Sequence, residues 1–422
     1  MSAAASSSSI ELEVRKNLRY NLAVNMLDGG FFGFSIGFAS FVTIIPLFVS
    51  HLTHSAVLIG LIPAIHSVGW MFPQLFTAGW VSRMRRYKPF VVTMTAQERL
   101  PFLGLAAVAW FMPLLGTRAT LILTFLLLIW QGLGAGFTAN PWTSMIAKII
   151  PHEYHGTFFG AQAAAANLFS SVGAVLAGLV LERLASPFDF SLCFLIAGFL
   201  MIVSWIALAL TREPEDCAKV IHEKPRPFWA GARSLLIRDV NFRWFVLSRM
   251  LFTYAMMAFA FYIVYAVQRF AMSEAAAGII TGVYMASMIV ASPVMGWLGD
   301  HWSHRRVMLI GALAAVVSAL LAWWAPTLAW FYPAFILAGV AIVGAWTIGI
   351  TMTVQFGEET ERPLYIGLSN TLVAPVAILA PIFGGWLADL MGYPAAFIAS
   401  AVGGLVTAGV LAFFVKDIKR HL

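Results

Sequence analysis

The chain has 422 residues, of which 60% are hydrophobic and 11% are charged. A soluble domain of this length does not need so much apolar sequence to fill one core, so the composition excludes a soluble protein and indicates that lipid surrounds most of the chain. The formal net charge of +7 comes mainly from basic residues between the apolar stretches. This placement is typical of a membrane topology signal, and we expect no binding to nucleic acid.

Twelve stretches are long and apolar enough to cross the hydrocarbon core of a bilayer, which takes about 20 residues. They do not alternate apolar and polar residues, as the strands of a membrane β-barrel would. The sequence therefore predicts an all-α membrane protein with twelve transmembrane helices. The predicted spans are 18–49, 55–80, 89–114, 119–146, 156–181, 190–211, 242–269, 273–298, 306–325, 328–354, 364–388 and 393–415.

The spans fall into two groups of six, so we expect two six-helix bundles over residues 18–211 and 242–416. Residues 212–241 interrupt the apolar pattern and are predicted to link the bundles. The second part of this linker mixes Trp and Leu with Arg and predicts an amphipathic helix on the inner membrane surface. Residues 1–17 and 417–422 are predicted to be tails, the first of them disordered and without a secretory signal.

Basic residues mark one side of the predicted membrane topology. If the N-terminus lies inside, the inner segments contain most of the 26 Lys and Arg residues. The positive-inside rule then predicts a multi-pass protein of the cell membrane with both termini in the cytoplasm. Cys193 lies in a span and Cys217 in the linker, so no disulfide is expected. The inner loops include Arg83, Arg85, Arg86, Lys88, Arg305 and Arg306.

Two loops at matching places in the halves resemble each other. Residues 79–82 are Gly-Trp-Val-Ser and residues 296–299 are Gly-Trp-Leu-Gly, and basic residues follow both. The second copy continues to residue 306 as Asp-His-Trp-Ser-His-Arg-Arg, so the whole segment resembles the major facilitator signature G-x-L-a-D-R-x-G-R-R. With twelve spans in two halves, the chain resembles that superfamily, in its twelve-helix prokaryotic form, over its whole length.

The resemblance assigns roles to residues of these two loops. It implies that Asp300 faces a helix N-terminus of its own bundle and that Arg305 braces a cytoplasmic gate. The first copy departs from the signature, because Arg83 stands at the Asp position and Arg86 at the second Gly position. The predicted gating residues are Gly79, Arg83, Arg86, Gly296, Asp300 and Arg305. Residues 173–178, Gly-Ala-Val-Leu-Ala-Gly, resemble the antiporter motif G-P-x-x-G-G but lack its proline. This partial resemblance implies export.

Four ionisable residues inside spans are the main functional candidates, because a charge at the bilayer centre costs about 2.5–3.5 kcal/mol. They are Asp28, Glu98, Arg99 and Arg249. Asp28 could carry a proton, form a fixed buried ion pair with Arg99 or Arg249, or contact a cationic substrate. Arg249 could bind an anionic substrate group, pair with Asp28, or extend toward the cytoplasm.

Glu98 and Arg99 are adjacent and therefore point about 100° apart on a helix, so they need different partners, and a structural role is favoured over a role in transport. His66 could be protonated during transport or remain neutral and hydrogen-bonded. The candidate proton-coupling residues are Asp28, His66 and Glu98.

Neutral polar and aromatic residues inside spans are candidates for substrate binding. Each could instead form an interhelical hydrogen bond or pack against other helices. Together with Arg249, they are Asn25, Gln131, Asn140, Asn167, Tyr254, Tyr284, Trp346 and Asn370.

These features favour a secondary transporter over an enzyme, because two opposed halves with buried titratable residues suit alternating access. The working prediction is proton-coupled efflux of a small amphipathic organic solute by a monomer. The alternatives are uptake of a small organic anion held by Arg249 or Arg99, and a membrane scaffold or enzyme with a transporter-like fold. Besides solute, protons and lipid, no cofactor or metal is expected.

Overall fold

The computed structural model describes residues 2–41, 43–53, 56–215, 228–272, 274–358 and 361–417. Every long regular element among these residues is helical, as the apolar composition predicts. The helices are α1 (Ser2–Phe38), α2 (Ile44–Ser50), α3 (Ala56–Met71), α4 (Gln74–Val81), α5 (Lys88–Trp110), α6 (Met112–Ile149), α7 (His155–Arg183), α8 (Phe188–Ala209), α9 (Phe228–Arg238), α10 (Val240–Ala255), α11 (Tyr262–Phe270), α12 (Glu274–His301), α13 (His304–Trp324), α14 (Phe331–Val343), α15 (Gly349–Thr353), α16 (Arg362–Met391) and α17 (Tyr393–Phe413).

Apart from α9 in the linker, these helices form twelve successive helical runs, which confirms the predicted twelve-helix architecture. Four runs are divided in two: α1 and α2, α3 and α4, α10 and α11, and α14 and α15. Pro73 lies between α3 and α4, where its missing N–H removes a helical hydrogen bond. A 3-10 segment, Met257–Phe261, separates α10 from α11, and a π-helical turn, Gly344–Ile348, separates α14 from α15.

Nine of the described helical segments are long and apolar enough to cross a membrane by themselves. The three runs that do not meet that condition are the first three of the chain. Within them, α3 has only 16 residues, and α5 carries Lys88, Glu98 and Arg99. Charge and helix breaks therefore weaken the apolar signal where the ionisable residues of the first half are concentrated.

The segments on either side of the first bundle are the N-terminal segment, which differs from the prediction, and the linker. Helix α1 begins at Ser2, whereas a disordered tail was expected through residue 17. Half of residues 2–17 are Ala, Glu, Leu, Arg or Lys, which favour helix, and the Ser residues among them are tolerated in it. In the linker, α9 buries Ala232 and Leu235 while Arg233 stays exposed, and residues 216–227, with Cys217, lie outside the described residues.

The contacts divide the chain into two compact units. Unit 1 takes the described residues within 1–151, 165–228 and 359–367, and unit 2 takes those within 152–164, 229–358 and 368–422. One boundary between the units falls in the linker, after residue 228, while the first residues of α7 join unit 2 and those of α16 join unit 1. Unit 1 has an apolar core that includes Phe48, Phe102 and Phe194, and unit 2 has an aromatic core around Tyr262 and Phe397.

Glycine allows close helix packing in unit 1. A Cβ atom on Gly33 of α1 would lie 2.2 Å from the carbonyl oxygen of Ala166 in α7. A Cβ atom on Gly136 of α6 would lie 2.2 Å from the carbonyl oxygen of Gly69 in α3. Small residues are what permits backbones to approach this closely in membrane proteins.

Each half of the chain contains the same pair of hydrogen bonds between an Asn side chain and a distant backbone group. Asn21 of α1 accepts from the backbone N–H of Arg212 at 2.9 Å and donates to its carbonyl oxygen at 2.9 Å. In unit 2, Asn241 of α10 makes the same two bonds with the backbone of Lys416, at 2.7 and 3.1 Å. In each half, the first helix thereby holds the chain that leaves the sixth helix.

Candidate functional site

A buried ion pair joins α1 and α5 in unit 1. Arg99 Nη2 donates to Asp28 Oδ1 at 2.8 Å, and the two residues are 6% and 4% exposed. The hydroxyl of Ser204 in α8 also donates to Asp28 Oδ1, at 2.6 Å. Arg99 Nη1 reaches the carbonyl oxygen of Met201 at 3.4 Å. These bonds fix the Asp28 carboxylate between three helices.

Glu98 lies beside this pair and has a different environment. Its side chain is buried and forms no hydrogen bond or ion pair with any described residue. The charges of Arg99 and Asp28 act on it. Thr95 Oγ1, one helical turn earlier, and Arg99 Nε are also buried without a hydrogen-bond partner in the described part of the chain. The cluster of Asp28, Glu98 and Arg99 thus contains two buried carboxylates but only one guanidinium to balance them.

Arg249 of α10 is the buried cation of unit 2. Its Nη1 donates to Ser369 Oγ at 2.7 Å, Asn370 Oδ1 at 3.2 Å and Thr353 Oγ1 at 3.4 Å. No described carboxylate forms an ion pair with it, and Asp28, one of its predicted partners, is held by Arg99 instead. Because Arg249 is only 4% exposed, its side chain does not extend to solvent as one of the predictions allowed.

His66 of α3 is hydrogen-bonded away from the ion pair. Its Nδ1 lies 3.1 Å from Gln131 Oε1 of α6, so the geometry fits a neutral ring that donates from Nδ1. The ring of Phe41 stacks on the imidazole with centroids 4.0 Å apart. Gln131 Nε2 is buried without a partner among the described residues.

The other predicted substrate residues are dispersed, and several are occupied. Asn25 donates to Thr211 Oγ1 at 3.2 Å, and Asn140 donates to the carbonyl oxygen of Pro363 at 2.9 Å, a contact inside unit 1. Asn370 is the predicted neutral residue that the structure brings to Arg249. The remaining four are the half-buried Asn167, Tyr254 and Tyr284, and Trp346, which is 36% exposed.

Asp300 caps the start of α7 inside unit 2. Its carboxylate accepts from the backbone N–H groups of Gly156 at 2.8 Å and Thr157 at 2.5 Å, and His304 Nε2 lies 3.3 Å away. The resemblance implied a helix of the same bundle, but α7 belongs to the first half of the sequence, and only its first residues join unit 2. A Cβ atom on Gly296 would lie 2.1 Å from the Gly156 carbonyl oxygen, which explains why this approach requires glycine.

Arg305 lies at the other end of the same loop. Its Nη1 donates to the carbonyl oxygens of Leu411, Ala412 and Val415 near the end of α17, at 3.1–3.2 Å. Its Nε lies 3.5 Å from the Asp417 carboxylate. A cation at these unpaired carbonyls stabilises the helix C-terminus.

The N-terminal copy of the loop is organised by residues that the sequence analysis missed. Glu213 accepts from the backbone N–H groups of Tyr87 at 2.9 Å and Lys88 at 2.7 Å, at the start of α5. It also pairs with Lys148 at 3.2 Å in a buried contact. Arg86 pairs with the exposed Glu215 at 3.3 Å. Glu213 thus provides the helix-capping carboxylate that this copy of the signature lacks.

Among the described residues, Gly79 and Arg83 do not show the close backbone approach and the helix-capping bonds that Gly296 and Asp300 have in the second copy. A Cβ atom on Gly79 would meet nothing within 4 Å, and the side chain of Arg83 forms no bond with a described residue.

In the described part of the chain, no group of three or more His, Cys, Asp or Glu residues is arranged to hold a metal ion.

Comparisons with known proteins identify the family and the fold of this chain. The family model of the Major Facilitator Superfamily matches residues 98–268 and 246–421. The multidrug resistance protein MdtL of Salmonella paratyphi B is 26% identical over 143 residues, 34% of this chain and 36% of that protein. The inner membrane metabolite transport protein YgcS of Escherichia coli is 25% identical over 108 residues, 26% of this chain and 24% of that protein. The matches span only about a quarter to a third of the length of these relatives.

Two solved structures share the fold. The fucose:proton symporter FucP of Escherichia coli superposes with a TM-score of 0.75 and 16% identity, covering 94% of this chain and 99% of that one. A bacterial homologue of the iron transporter ferroportin does so with a TM-score of 0.75 and 13% identity, covering 93% and 98%. With the twelve helical runs and the family match over both halves, the chain belongs to the Major Facilitator Superfamily and is a multi-pass membrane protein.

Proposed function

We propose that this transporter couples proton movement to the movement of a small amphipathic organic solute, in the direction of export. The observation that carries the proposal is Glu98, a buried carboxyl without a bonding partner among the described residues, next to an ion pair that is already complete. A buried ionisable group in a membrane protein is costly and is retained at functional sites.

The charge balance around Glu98 supports a role in proton coupling. With Asp28 and Arg99 paired, the cluster carries a net charge of −1 when Glu98 is ionised and zero when it is protonated. Release and uptake of one proton therefore change the buried charge of unit 1 by one. A conformational change that alters the access of water to Glu98 would then exchange that proton with one side of the membrane, as alternating access requires.

Asp28 is better suited to a structural role than to carrying the proton. Its Oδ1 accepts from both Arg99 and Ser204, and protonation would leave the Arg99 guanidinium buried without its counter-charge. Breaking such a pair from one side is strongly unfavourable. We therefore assign the mobile proton to Glu98 and the anchoring of α1, α5 and α8 to Asp28 and Arg99.

Topology and direction belong to the same proposal. The basic loops favour the cell membrane with both termini in the cytoplasm, and one chain contains both halves that alternating access needs, so a monomer suffices. Export is supported by the similarity to a multidrug resistance protein over 143 residues. Uptake is a second candidate, supported by the similarity to a metabolite transport protein over 108 residues.

Proton flux in inverted membrane vesicles tests the proposal. A dye that reports the pH gradient is followed while amphipathic cations, neutral compounds and organic anions are added to vesicles that contain wild type or Glu98→Gln. The matched control is Glu182→Gln, which neutralises an exposed carboxylate. We expect one compound class to dissipate the gradient with wild type and the control but not with Glu98→Gln. Equal dissipation in all three would reject Glu98 as the proton carrier.

A further inference from the structure

The charge of Arg249 in unit 2 is not used by the proton scheme. Its guanidinium is buried, and among the described residues it has three hydrogen-bond partners, all of them neutral. By contrast, Arg99 in unit 1 has a carboxylate at 2.8 Å. Burying a guanidinium without a counter-charge is energetically costly, and residues of this kind inside membrane spans mark functional sites.

The surroundings of Arg249 leave part of the guanidinium available. All three hydrogen bonds leave from Nη1, and Nη2 forms none with the described residues. Gly349 lies alongside, where an added Cβ atom would be 3.3 Å from Nε, so any larger residue there would crowd the guanidinium. The Asn370 amide and the Ser369 hydroxyl lie next to Nη1 and could contribute hydrogen bonds to the same bound group.

We propose that Arg249, together with Ser369 and Asn370, binds an anionic group, and specifically a carboxylate, of the transported solute. The planar guanidinium binds a carboxylate through two parallel N–H···O bonds and supplies the charge that the neutral side chains do not. This inference rests on the proposed function only in taking the ligand to be the solute. It narrows the substrate class to amphipathic organic anions and leaves Arg99 out of substrate binding.

Thermal unfolding of the purified full chain in detergent tests the site without a proton gradient. The probes are 4-phenylbutyrate, decanoate and 1-naphthoate, each compared with its own amide. We expect at least one carboxylate to raise the midpoint of wild type more than its amide does. This selective rise should disappear in Arg249→Gln and persist in the control Arg233→Gln, which removes an exposed positive charge.

A second variant keeps the test decisive if Arg249→Gln does not fold. Asn370→Asp places a carboxylate at the position that now lies 3.2 Å from Nη1. It should raise the ligand-free midpoint by supplying the missing counter-charge, and it should abolish the preference for carboxylates because that charge competes with the ligand. The site is refuted if wild type shows no preference for any carboxylate over its amide, or if the preference survives in Arg249→Gln or Asn370→Asp.

The two proposals fail separately. Glu98→Gln should retain carboxylate-selective stabilisation, because binding at equilibrium does not need proton movement. If the selectivity is absent while vesicles still show Glu98-dependent proton flux, the anion site is wrong and the proton-coupled function stands. If the carboxylate selectivity is present and the Glu98-dependent proton flux is absent, the anion site stands and the proton-coupled function is wrong.

Discussion

The contrast between the two buried arginines predicts different costs when each is replaced by methionine. In Arg99→Met, the Asp28 carboxylate loses its partner at 2.8 Å and keeps only the Ser204 hydroxyl, which already bonds to it in wild type. Removing one partner of a buried pair costs about 3–5 kcal/mol. In Arg249→Met, no carboxylate is left behind, and lost hydrogen bonds of about 1 kcal/mol each are offset by the removal of a buried charge.

The assay is equilibrium unfolding of both variants in mixed detergent micelles, followed by circular dichroism. We expect Arg99→Met to be less stable than Arg249→Met by about 2 kcal/mol or more. The double variant Asp28→Leu with Arg99→Met should recover most of the loss, because neither member of the ion pair is then left buried without the other. Equal stability of the two single variants, or no recovery in the double variant, would refute the reasoning about buried charge.

Three further predictions concern helix contacts. Gly160→Ala places a Cβ atom 2.2 Å from the Ser292 carbonyl oxygen, so unfolding measurements should show a loss of about 1–3 kcal/mol; a midpoint like that of wild type would contradict the packing. Asn140→Leu removes the bond to the Pro363 backbone and should lower stability by about 1 kcal/mol without changing the KM of transport, whereas a raised KM at unchanged stability would indicate a substrate contact. Asp300→Asn removes the charge at the start of α7 and should lower the unfolding midpoint; an unchanged midpoint would show that the cap is unimportant.

The twelve helices could be predicted because lipid requires long apolar segments, and nine of the described segments meet that condition by themselves. The same reasoning identified Asp28, Glu98, Arg99 and Arg249 as costly and therefore informative. It could not decide which arginine pairs with Asp28, since that depends on the rotation of α5 and α10 about their axes. Sequence spacing alone does not set this rotation between helices far apart in the chain.

The roles of four further residues could not be predicted from the sequence, each for an identifiable physical reason. Lys148 lies just beyond the predicted end of the fourth span at residue 146, whereas α6 continues to Ile149, so its position inside a helix was not predicted. Glu213 was assigned to the linker, although its carboxylate caps α5. Ser204 is a small polar residue in an apolar helix, with nothing in its local sequence to distinguish it from a packing residue. The close approach of Gly156 to α12 is a tertiary contact between distant segments.

Solute accumulation in proteoliposomes tests proton-coupled transport most directly. Purified wild type is reconstituted, a compound that dissipated the pH gradient in vesicles is supplied in labelled form, and a pH gradient is imposed as the sole energy source. We predict accumulation above the external concentration that collapses when a protonophore is added and is absent with Glu98→Gln. Movement that only equalises the concentrations, with or without the gradient, would contradict secondary active transport by this chain.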